Sequence, residues 1–243
     1  MQNHLKTEIE RYWTKRAESF ADLRIREFKS YKHDLWQQEI GQYLPPFAES
    51  GPLQILDIGT GTGFFTFLLS EMGHEVTGID LTPEMIVEAR ISAEQLGLPM
   101  AFLVMDAEKL AFPESYFDVI VTRNLTWTLP HLAEAYRSWY KVLRPGGILV
   151  NFDADYVHTE EHKVAVQGKC AHEKVDDSEW NTYLHFKEEL APEQKPRPAF
   201  DEELLAAAGF TDIAADLTVS DRLFAEKDEF YMPVRMFCLT ARK

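Results

Sequence analysis

Residues Gln54 to Gly63 read Q-I-L-D-I-G-T-G-T-G and lead directly into the apolar run Phe64 to Leu69. The apolar and β-branched residues before the first glycine predict a buried strand, and those after the last glycine predict a buried helix. Because glycine has no Cβ, the chain can turn sharply here and a ligand can approach the backbone closely. The start of the helix also presents free backbone N–H groups. The stretch therefore predicts a nucleotide-type binding loop.

The chemistry of this loop favours a cationic nucleoside over a phosphorylated one. Dinucleotide-binding loops have the spacing G-x-G-x-x-G, whereas Gly59, Gly61 and Gly63 follow G-x-G-x-G, with Asp57 two residues before them. A carboxylate at the end of the strand opposes a pyrophosphate and suits a ligand that carries an ammonium and a sulfonium. In this stretch the chain resembles the class I (Rossmann-like) S-adenosylmethionine-dependent methyltransferases of the small-molecule type. A glycine turn without a ligand is the alternative.

Two later motifs carry the same resemblance. Asp106 to Asp118 follow the pattern D-A-E-x-L-x-F-P-x-x-x-F-D, and Leu143 to Gly147 read L-R-P-G-G before a strand predicted over Ile148 to Asp153. Strands and helices alternate over residues 52–152, which predicts a doubly wound α/β domain with a parallel sheet. The resemblance implies a mostly parallel seven-stranded sheet, an N-terminal helical cap and a lid insertion after the fifth strand. It also implies S-adenosyl-L-methionine as cofactor and S-adenosyl-L-homocysteine as product.

Acids at the ends of further strands extend the predicted cofactor site. Asp80 lies about twenty residues after the glycine loop, where an acid accepts ribose hydroxyls; a solvated strand-end Asp is the alternative. The resemblance implies that Asp106 accepts the adenine amino group and that Tyr12 and Arg16 of the cap lie near the methionine end. The predicted cofactor-binding residues are Tyr12, Arg16, Asp57, Gly59, Thr60, Gly61, Gly63, Asp80, Leu81, Met85, Met105, Asp106, Ala107 and Arg123.

The methyl acceptor is expected beyond the fourth and fifth strands, because ligands of open α/β sheets bind outside the carboxyl ends of the strands. A base is needed only if the acceptor arrives protonated. Asn124, Asp153 and His158 are the predicted catalytic residues, and Trp127, Asp155 and Tyr156 are the predicted substrate-binding residues. Two of these have structural alternatives, since Trp127 suits a core and Asp153 suits a helix cap.

The predicted organisation is a helical cap over residues 1–50 and a methyltransferase domain over 51–243, with the lid at about 154–199. Two helices are expected within residues 4–44. Asp201 is expected to cap a helix through Ala208. Strands over 210–219 and 231–241 are expected to form an antiparallel hairpin joined by the loop 220–229. His158 and His162 stand four residues apart, but no clustered Cys/His pattern supports a metal site, and none is predicted.

Composition limits the other possibilities. The formal net charge of −15 argues against a nucleic-acid partner. Two cysteines, a polar N-terminus and short apolar runs predict neither a disulfide framework nor a membrane partner, and favour a cytoplasmic protein. A small-molecule acceptor is what the resemblance implies, and a monomer or homodimer is expected. An NAD-dependent oxidoreductase and a non-catalytic S-adenosylmethionine-binding protein remain as alternatives.

Overall fold

Seven strands form one sheet in the part of the chain that the computed structural model describes, residues 2–46, 51–98, 100–159 and 176–243. The strand order is β3-β2-β1-β4-β5-β7-β6. Neighbours among β1 to β5 pair in parallel, and β7 pairs antiparallel with both β5 and β6. The predicted mostly parallel, doubly wound sheet is therefore confirmed. The strands are β1 Gln54–Ile58, β2 Glu75–Asp80, β3 Ala101–Val104, β4 Phe117–Arg123, β5 Leu143–Ala154, β6 Thr211–Asp216 and β7 Met236–Arg242.

Helices cover both faces of the sheet. Along β4, Val119 and Val121 pack with one apolar cluster and Ile120 packs with the other, because successive side chains of a strand point to opposite faces. The first cluster includes residues of α2, α3, α4 and α8, and the second includes residues of α5 and α7. The helices are α1 Gln2–Phe28, α2 Lys32–Gly41, α3 Phe64–Glu71, α4 Pro83–Leu96, α5 Leu132–Val142, α6 Asp177–Leu190, α7 Ala199–Ala208 and α8 Val219–Leu223.

The N-terminal helix α1 lies across the carboxyl ends of the strands. It contacts α4 on one side and α6 on the other. Leu5, Ile9 and Tyr12 join an apolar cluster with Trp127 and Tyr183, which lie beyond the carboxyl end of β4 and on α6. The two helices expected before the core are present, and α1 has the position of a cap. The division into domains at residue 50 stays a prediction.

The segment after β5 is described in part. Residues 160–175, which include His162 and Cys170, lie outside the described residues, and the lid over 154–199 stays a prediction. Helix α6 begins with a capping box in which Asp176 accepts from the backbone N–H of Glu179, and the Glu179 side chain accepts from the backbone of Asp176. Its buried residues pack towards α1 and Trp127.

The C-terminal part departs from the sequence-based expectation in two places. The α7 helix begins at Ala199, and Asp201 lies in its first turn, fully buried against Arg197, instead of capping it. Strand β6 ends at Asp216, and the expected loop contains the short helix α8. Val219 and Leu223, four residues apart, are both buried, which a helix achieves by placing them on one face. The predicted antiparallel pairing of the last two strands is correct.

Candidate active site

A cavity opens at the carboxyl ends of β1, β2, β3 and β4, underneath α1. This is the crevice where open α/β sheets bind ligands, on both sides of the point where the strand order reverses. The residues lining the cavity include most of the predicted cofactor and substrate residues together with side chains of α1 and α6. They are Lys6, Ile9, Glu10, Tyr12, Trp13, Arg16, Phe20, Arg24, Asp57, Gly59, Thr60, Gly61, Phe64, Phe65, Asp80, Leu81, Thr82, Met85, Met105, Asp106, Ala107, Arg123, Asn124, Leu125, Trp127, Thr128, Leu129, Pro130, Tyr156, Tyr183 and Met232.

The glycine loop has the backbone that its sequence predicts. Gly59 and Gly61 have φ angles of +69° and +54°, which residues other than glycine rarely adopt. Both residues line the cavity. Gly63 differs, because it is not among the described residues that line the cavity. A Cβ at Gly63 would lie 2.5 Å from the ring of Phe67. Its role is to let the loop pack on α3, and the prediction that it contacts the cofactor is not supported.

Asp57 is a buried carboxylate on the floor of this loop. It accepts hydrogen bonds from the hydroxyls of Thr60 (2.7 Å) and Thr66 (2.8 Å). Burial raises the pKa of Asp57 to about 6, although these hydrogen bonds act in the opposite direction. A cationic ligand in the cavity would stabilise the ionised carboxylate, whereas a phosphate would destabilise it.

Asp80 is oriented by the backbone around the loop. Its carboxylate accepts from the N–H groups of Gly61 (3.0 Å) and Thr82 (2.9 Å), and burial raises its pKa despite these bonds. A carboxylate can accept several hydrogen bonds, so Asp80 can also accept from hydroxyl donors in the cavity. The buried Asp57 and the half-buried Asp80 beside a glycine loop fit a positively charged nucleoside, because its hydroxyls and cationic groups would pair with them.

Asp106, the acid beyond the end of β3, is bound by a lysine from the cap. Lys6 Nζ lies 2.8 and 2.7 Å from the two carboxylate oxygens of Asp106 and 2.6 Å from Glu108. The buried Glu108 also accepts from the backbone N–H of His131 at 2.9 Å. Lys6 was not predicted from the sequence as a residue of the site. Its place on α1 could have been expected only from the tertiary packing.

Arg123, at the end of β4, belongs to a second group of charges that sequence reasoning missed in part. Its guanidinium donates to both carboxylate oxygens of Glu27, at 2.9 and 3.3 Å, and Arg24 pairs with the same carboxylate. Burial acts to raise the pKa of Glu27, but the two arginines outweigh it and lower the pKa to about 2. Glu27 therefore remains ionised inside the protein.

Aromatic side chains form the far end of the cavity. The rings of Tyr156 and Tyr183 lie 5.0 and 5.7 Å from the ring of Trp127, measured between centroids. The Tyr156 hydroxyl donates to the side-chain oxygen of Asn124 at 3.0 Å. Asn124 has a φ angle of +56°, a conformation that asparagine tolerates better than most residues. Trp127, Tyr156 and Asn124 thus meet at one place, beside the cofactor-type loop.

Asp153, Asp155 and His158 do not line the described cavity. Asp153 is fully buried, accepts from the backbone N–H of Trp127 at 3.0 Å, and pairs with Arg197 at 3.1 Å. His158 pairs with Asp155 at 2.7 Å. The geometry therefore favours a positioning role for Asp153, whose carboxylate holds the backbone of Trp127. The catalytic roles predicted for Asp153 and His158, and the substrate contact predicted for Asp155, gain no support from these positions.

No helix in the described ranges has the length and apolar character that a membrane span requires. No group of three or more His, Cys, Asp or Glu side chains there is arranged to hold a metal ion.

Comparison with known proteins finds similarity to methyltransferases over the middle of the chain. A profile described as a methyltransferase domain matches residues 56–151, from within β1 to within β5. The demethylmenaquinone methyltransferase of Thermus thermophilus is 40% identical over 104 residues, which is 42% of this chain and 47% of that protein. The chain spans about half the length of the first curated relatives it matches.

Solved structures of other proteins share the fold. An S-adenosylmethionine-dependent methyltransferase from Mesorhizobium loti superposes with a TM-score of 0.58 and 22% identity, over 85% of this chain and 96% of that one. The [4+2]-cyclase SpnF superposes with a TM-score of 0.59 and 21% identity, over 86% of this chain and 81% of that one. The sheet has the Rossmann-like fold of these solved structures, and residues 56–151 are similar in sequence to the domain of known methyltransferases.

Proposed function

We propose that this protein transfers a methyl group from S-adenosyl-L-methionine to a small-molecule acceptor. The observation that carries the proposal is the single cavity in which the glycine loop and the strand-end acids Asp57, Asp80 and Asp106 meet an aromatic end formed by Trp127, Tyr156 and Tyr183. One side of this cavity has the chemistry for a cationic nucleoside, and the other presents apolar surface to a second molecule.

The residues at the cofactor end have defined tasks in this proposal. When bound, S-adenosylmethionine supplies a methyl group on a sulfonium, which is already an activated leaving group. Asp80 accepts from the ribose hydroxyls, and the backbone of Gly59 and Gly61 allows close approach of the ligand. Asp57 provides a negative charge below the loop, and Asp106, held by Lys6, faces the base. The predicted contacts of Tyr12, Arg16, Met85 and Met105 belong to the same proposal, since all four residues line the cavity.

At the acceptor end, the protein contributes position more than acid–base chemistry. Holding two reactants in line can lower a barrier by several kcal/mol, up to roughly 7–11 in favourable cases. The aromatic rings can also stabilise a cationic methyl donor by about 0.5–2 kcal/mol. Asn124 and Tyr156, joined by a hydrogen bond, are the polar groups available to orient the acceptor. The name of the Thermus thermophilus relative suggests a quinone-type ring, and flat aromatic walls suit such a ring.

A binding experiment tests the cofactor half of the proposal. Calorimetric titrations with S-adenosylmethionine, S-adenosylhomocysteine and NAD are expected to give binding with the first two and none with NAD. Asp80→Asn is expected to weaken S-adenosylhomocysteine binding about tenfold or more, because a charge-assisted hydrogen bond contributes roughly 1.5–3 kcal/mol. The exposed Asp34→Asn is the matched control. Binding of NAD alone would overturn the proposal.

A labelling experiment tests transfer itself. Incubating the protein with methyl-labelled S-adenosylmethionine and a metabolite extract is expected to label one small molecule, whose mass identifies the acceptor. A protein of this fold that does not transfer methyl groups is the second candidate, because SpnF, which shares the fold, is named a [4+2]-cyclase. Cofactor binding without labelling of any molecule would favour that candidate. A cytoplasmic location and a monomeric or homodimeric state remain predictions.

A further inference from the structure

Three charged side chains at the end of β4 form a cluster for which the proposed cofactor contacts give no complete explanation. Arg24 and Glu27 lie on α1, and Arg123 ends β4. The exposed fractions of their side chains are 11%, 0% and 8%, so all three are almost removed from solvent. Both arginines also line the cavity. We call these residues the guanidinium cluster.

The guanidinium cluster contains one more positive charge than negative charge. Glu27 is the carboxylate with which Arg24 and Arg123 form ion pairs in the described part of the chain. Burying a charge without a counter-charge is costly. Burial accordingly lowers the pKa of Arg123 to about 10, although Glu27 acts in the opposite direction. An anion bound in the cavity would offset this cost.

The free donors of the cluster are at the edges of the guanidinium groups. Aromatic rings cover the faces of the two guanidinium groups. The Cζ atom of Arg24 lies 4.5 Å from the ring centroid of Phe20. The Cζ atom of Arg123 lies 4.2 Å from the ring centroid of Trp36 and 4.9 Å from that of Phe64. The buried Nε–H of Arg123 has no hydrogen-bond partner among the described residues. In-plane N–H groups of arginine match the geometry of carboxylate and phosphate oxygens.

We propose that the guanidinium cluster binds an acidic group, a carboxylate or a phosphate, on the methyl acceptor. Arg123 immediately precedes Asn124, which bonds Tyr156 at the aromatic end of the cavity. The acids Asp80 and Asp106 follow strands on the other side of β1. The acceptor is therefore an anion with an apolar or aromatic body. This inference rests on the proposed function for the identity of the ligand as an acceptor.

The test uses three simple probes titrated into the full chain, with and without saturating S-adenosylhomocysteine. The probes are 4-hydroxybenzoate, phenyl phosphate and the uncharged 4-hydroxybenzamide. The protein is expected to bind at least one anion about tenfold more tightly than the amide, a ratio equal to about 1.4 kcal/mol. Comparison of the two anions distinguishes a carboxylate site from a phosphate site.

Variants of opposite charge identify the cluster as the source of the preference. Arg24→Gln and Arg123→Gln are expected to abolish the preference for the anion, whereas Glu27→Gln is expected to increase it. Since the changes have opposite signs, a general loss of folding cannot mimic them. Arg26→Gln, on the exposed face of the same helix, is the matched control and is expected to change nothing.

Two results would overturn the inference. One is equal binding of anions and amide, or binding of none of them, by the unmodified protein. The other is a tenfold loss of S-adenosylhomocysteine affinity in Arg24→Gln and Arg123→Gln with the anion preference unchanged, since the cluster would then hold the carboxylate of the cofactor. Failure of the protein to bind S-adenosylhomocysteine would refute the proposed function instead, and the titrations without it would still report the anion preference.

Discussion

At the scale of single residues, Asp57 links the stability of the fold to ligand binding. Its pKa is raised from the ordinary value of 3.8 to about 6, which corresponds to about 3 kcal/mol. Between pH 4 and pH 6 the folded protein holds a proton at Asp57 more tightly than the unfolded chain does. The free energy of unfolding therefore falls as the pH rises through this range, and the loss persists at higher pH.

We expect Asp57→Asn to stabilise the protein without ligand and to weaken cofactor binding. The free energy of unfolding should rise by up to about 3 kcal/mol at pH 8, because a neutral side chain replaces a buried charge, and should change little at pH 4. Urea denaturation at the two pH values measures this difference. Calorimetry should show a larger loss of affinity for S-adenosylmethionine than for the uncharged-sulfur product, since only the former carries the sulfonium.

The outcome that would contradict this account of Asp57 is specific. Equal stability of Asp57→Asn and the unmodified protein at pH 8 would mean that the carboxylate is not penalised by burial. The exposed Asp34→Asn controls for general effects of removing a negative charge.

At the scale of secondary-structure elements, a buried ionic network joins the end of β5 to α7 and to the turn at Thr126–Thr128. Arg197 donates to Asp153 at 3.1 Å and to Asp201 at 2.7 Å. Asp153 accepts from the backbone N–H of Trp127, and Gln194 donates to the backbone carbonyl of Trp127 at 2.8 Å. The backbone on both sides of the Trp127 indole is therefore fixed from within the protein.

Arg197→Met is expected to lower the free energy of unfolding by about 3–5 kcal/mol. The substitution leaves two buried carboxylates without their positive partner, which is among the most costly changes in a protein interior. Urea denaturation at pH 7 measures the effect. Lys195→Met, which removes an exposed ion pair with Glu203, is the control and should change stability by less than about 0.5 kcal/mol. A loss below 1 kcal/mol for Arg197→Met would show that the network is not structural.

Helix α1 provides a second prediction at this scale. Lys6 ties its N-terminal half to Asp106 and Glu108, so Lys6→Met should let this half of the helix open more often. If the ion pairs of Lys6 contribute about 1 kcal/mol to the stability of this half, their loss makes amide hydrogen exchange over residues 4–16 about fivefold faster. Exchange in β1 and β4 should be unchanged. Lys15→Met changes an exposed lysine on the same helix and should leave exchange unaltered. Unchanged exchange in Lys6→Met would show that the ion pairs of Lys6 with Asp106 and Glu108 do not stabilise this half of the helix.

The sequence was most informative where one element determines its own structure. The strand, glycine turn and helix from Gln54 to Glu71 follow from apolar runs and residues without Cβ, and all three form as predicted. The α8 helix was not predicted, because polar and charged residues separate its two buried apolar residues, Val219 and Leu223, which are four positions apart. Asp201 was wrongly predicted to cap the helix, because its ion-pair partner, Arg197, precedes the helix in the chain.

The same distinction applies to the candidate site. Asp57, Asp80 and Asp106 could be placed from local motifs, because each lies at or close to the carboxyl end of a strand of the same parallel sheet. Lys6 and Glu27 could not, since they reach the site from α1, and the side that a covering helix presents depends on tertiary packing. Asp153 looked like a base at a strand end, but burial beside Arg197 gives it a different environment.

At the scale of the whole molecule, charge is distributed unevenly. The chain has a formal net charge of −15, whereas the guanidinium cluster carries a surplus positive charge in the wall of the cavity. Long-range electrostatic forces depend on the whole molecule and are screened by salt, with a Debye length of about 30 Å at 0.01 M and about 8 Å at 0.15 M. Short-range pairing inside the cavity is screened much less.

The two ligands should therefore respond to salt in opposite directions. S-Adenosylmethionine carries a net positive charge and is attracted by the acidic surface, so its association rate should fall about two- to tenfold between 0.01 and 0.15 M salt. An anionic probe such as 4-hydroxybenzoate is repelled by the same surface, so its association rate should rise over this range while Arg24 and Arg123 retain it once bound. Stopped-flow fluorescence of the tryptophans measures both rates, and S-adenosylhomocysteine, which has no net charge, is the control. If both charged ligands associated more slowly at higher salt, the approach of the anion would be governed by a local positive field and not by the overall negative charge.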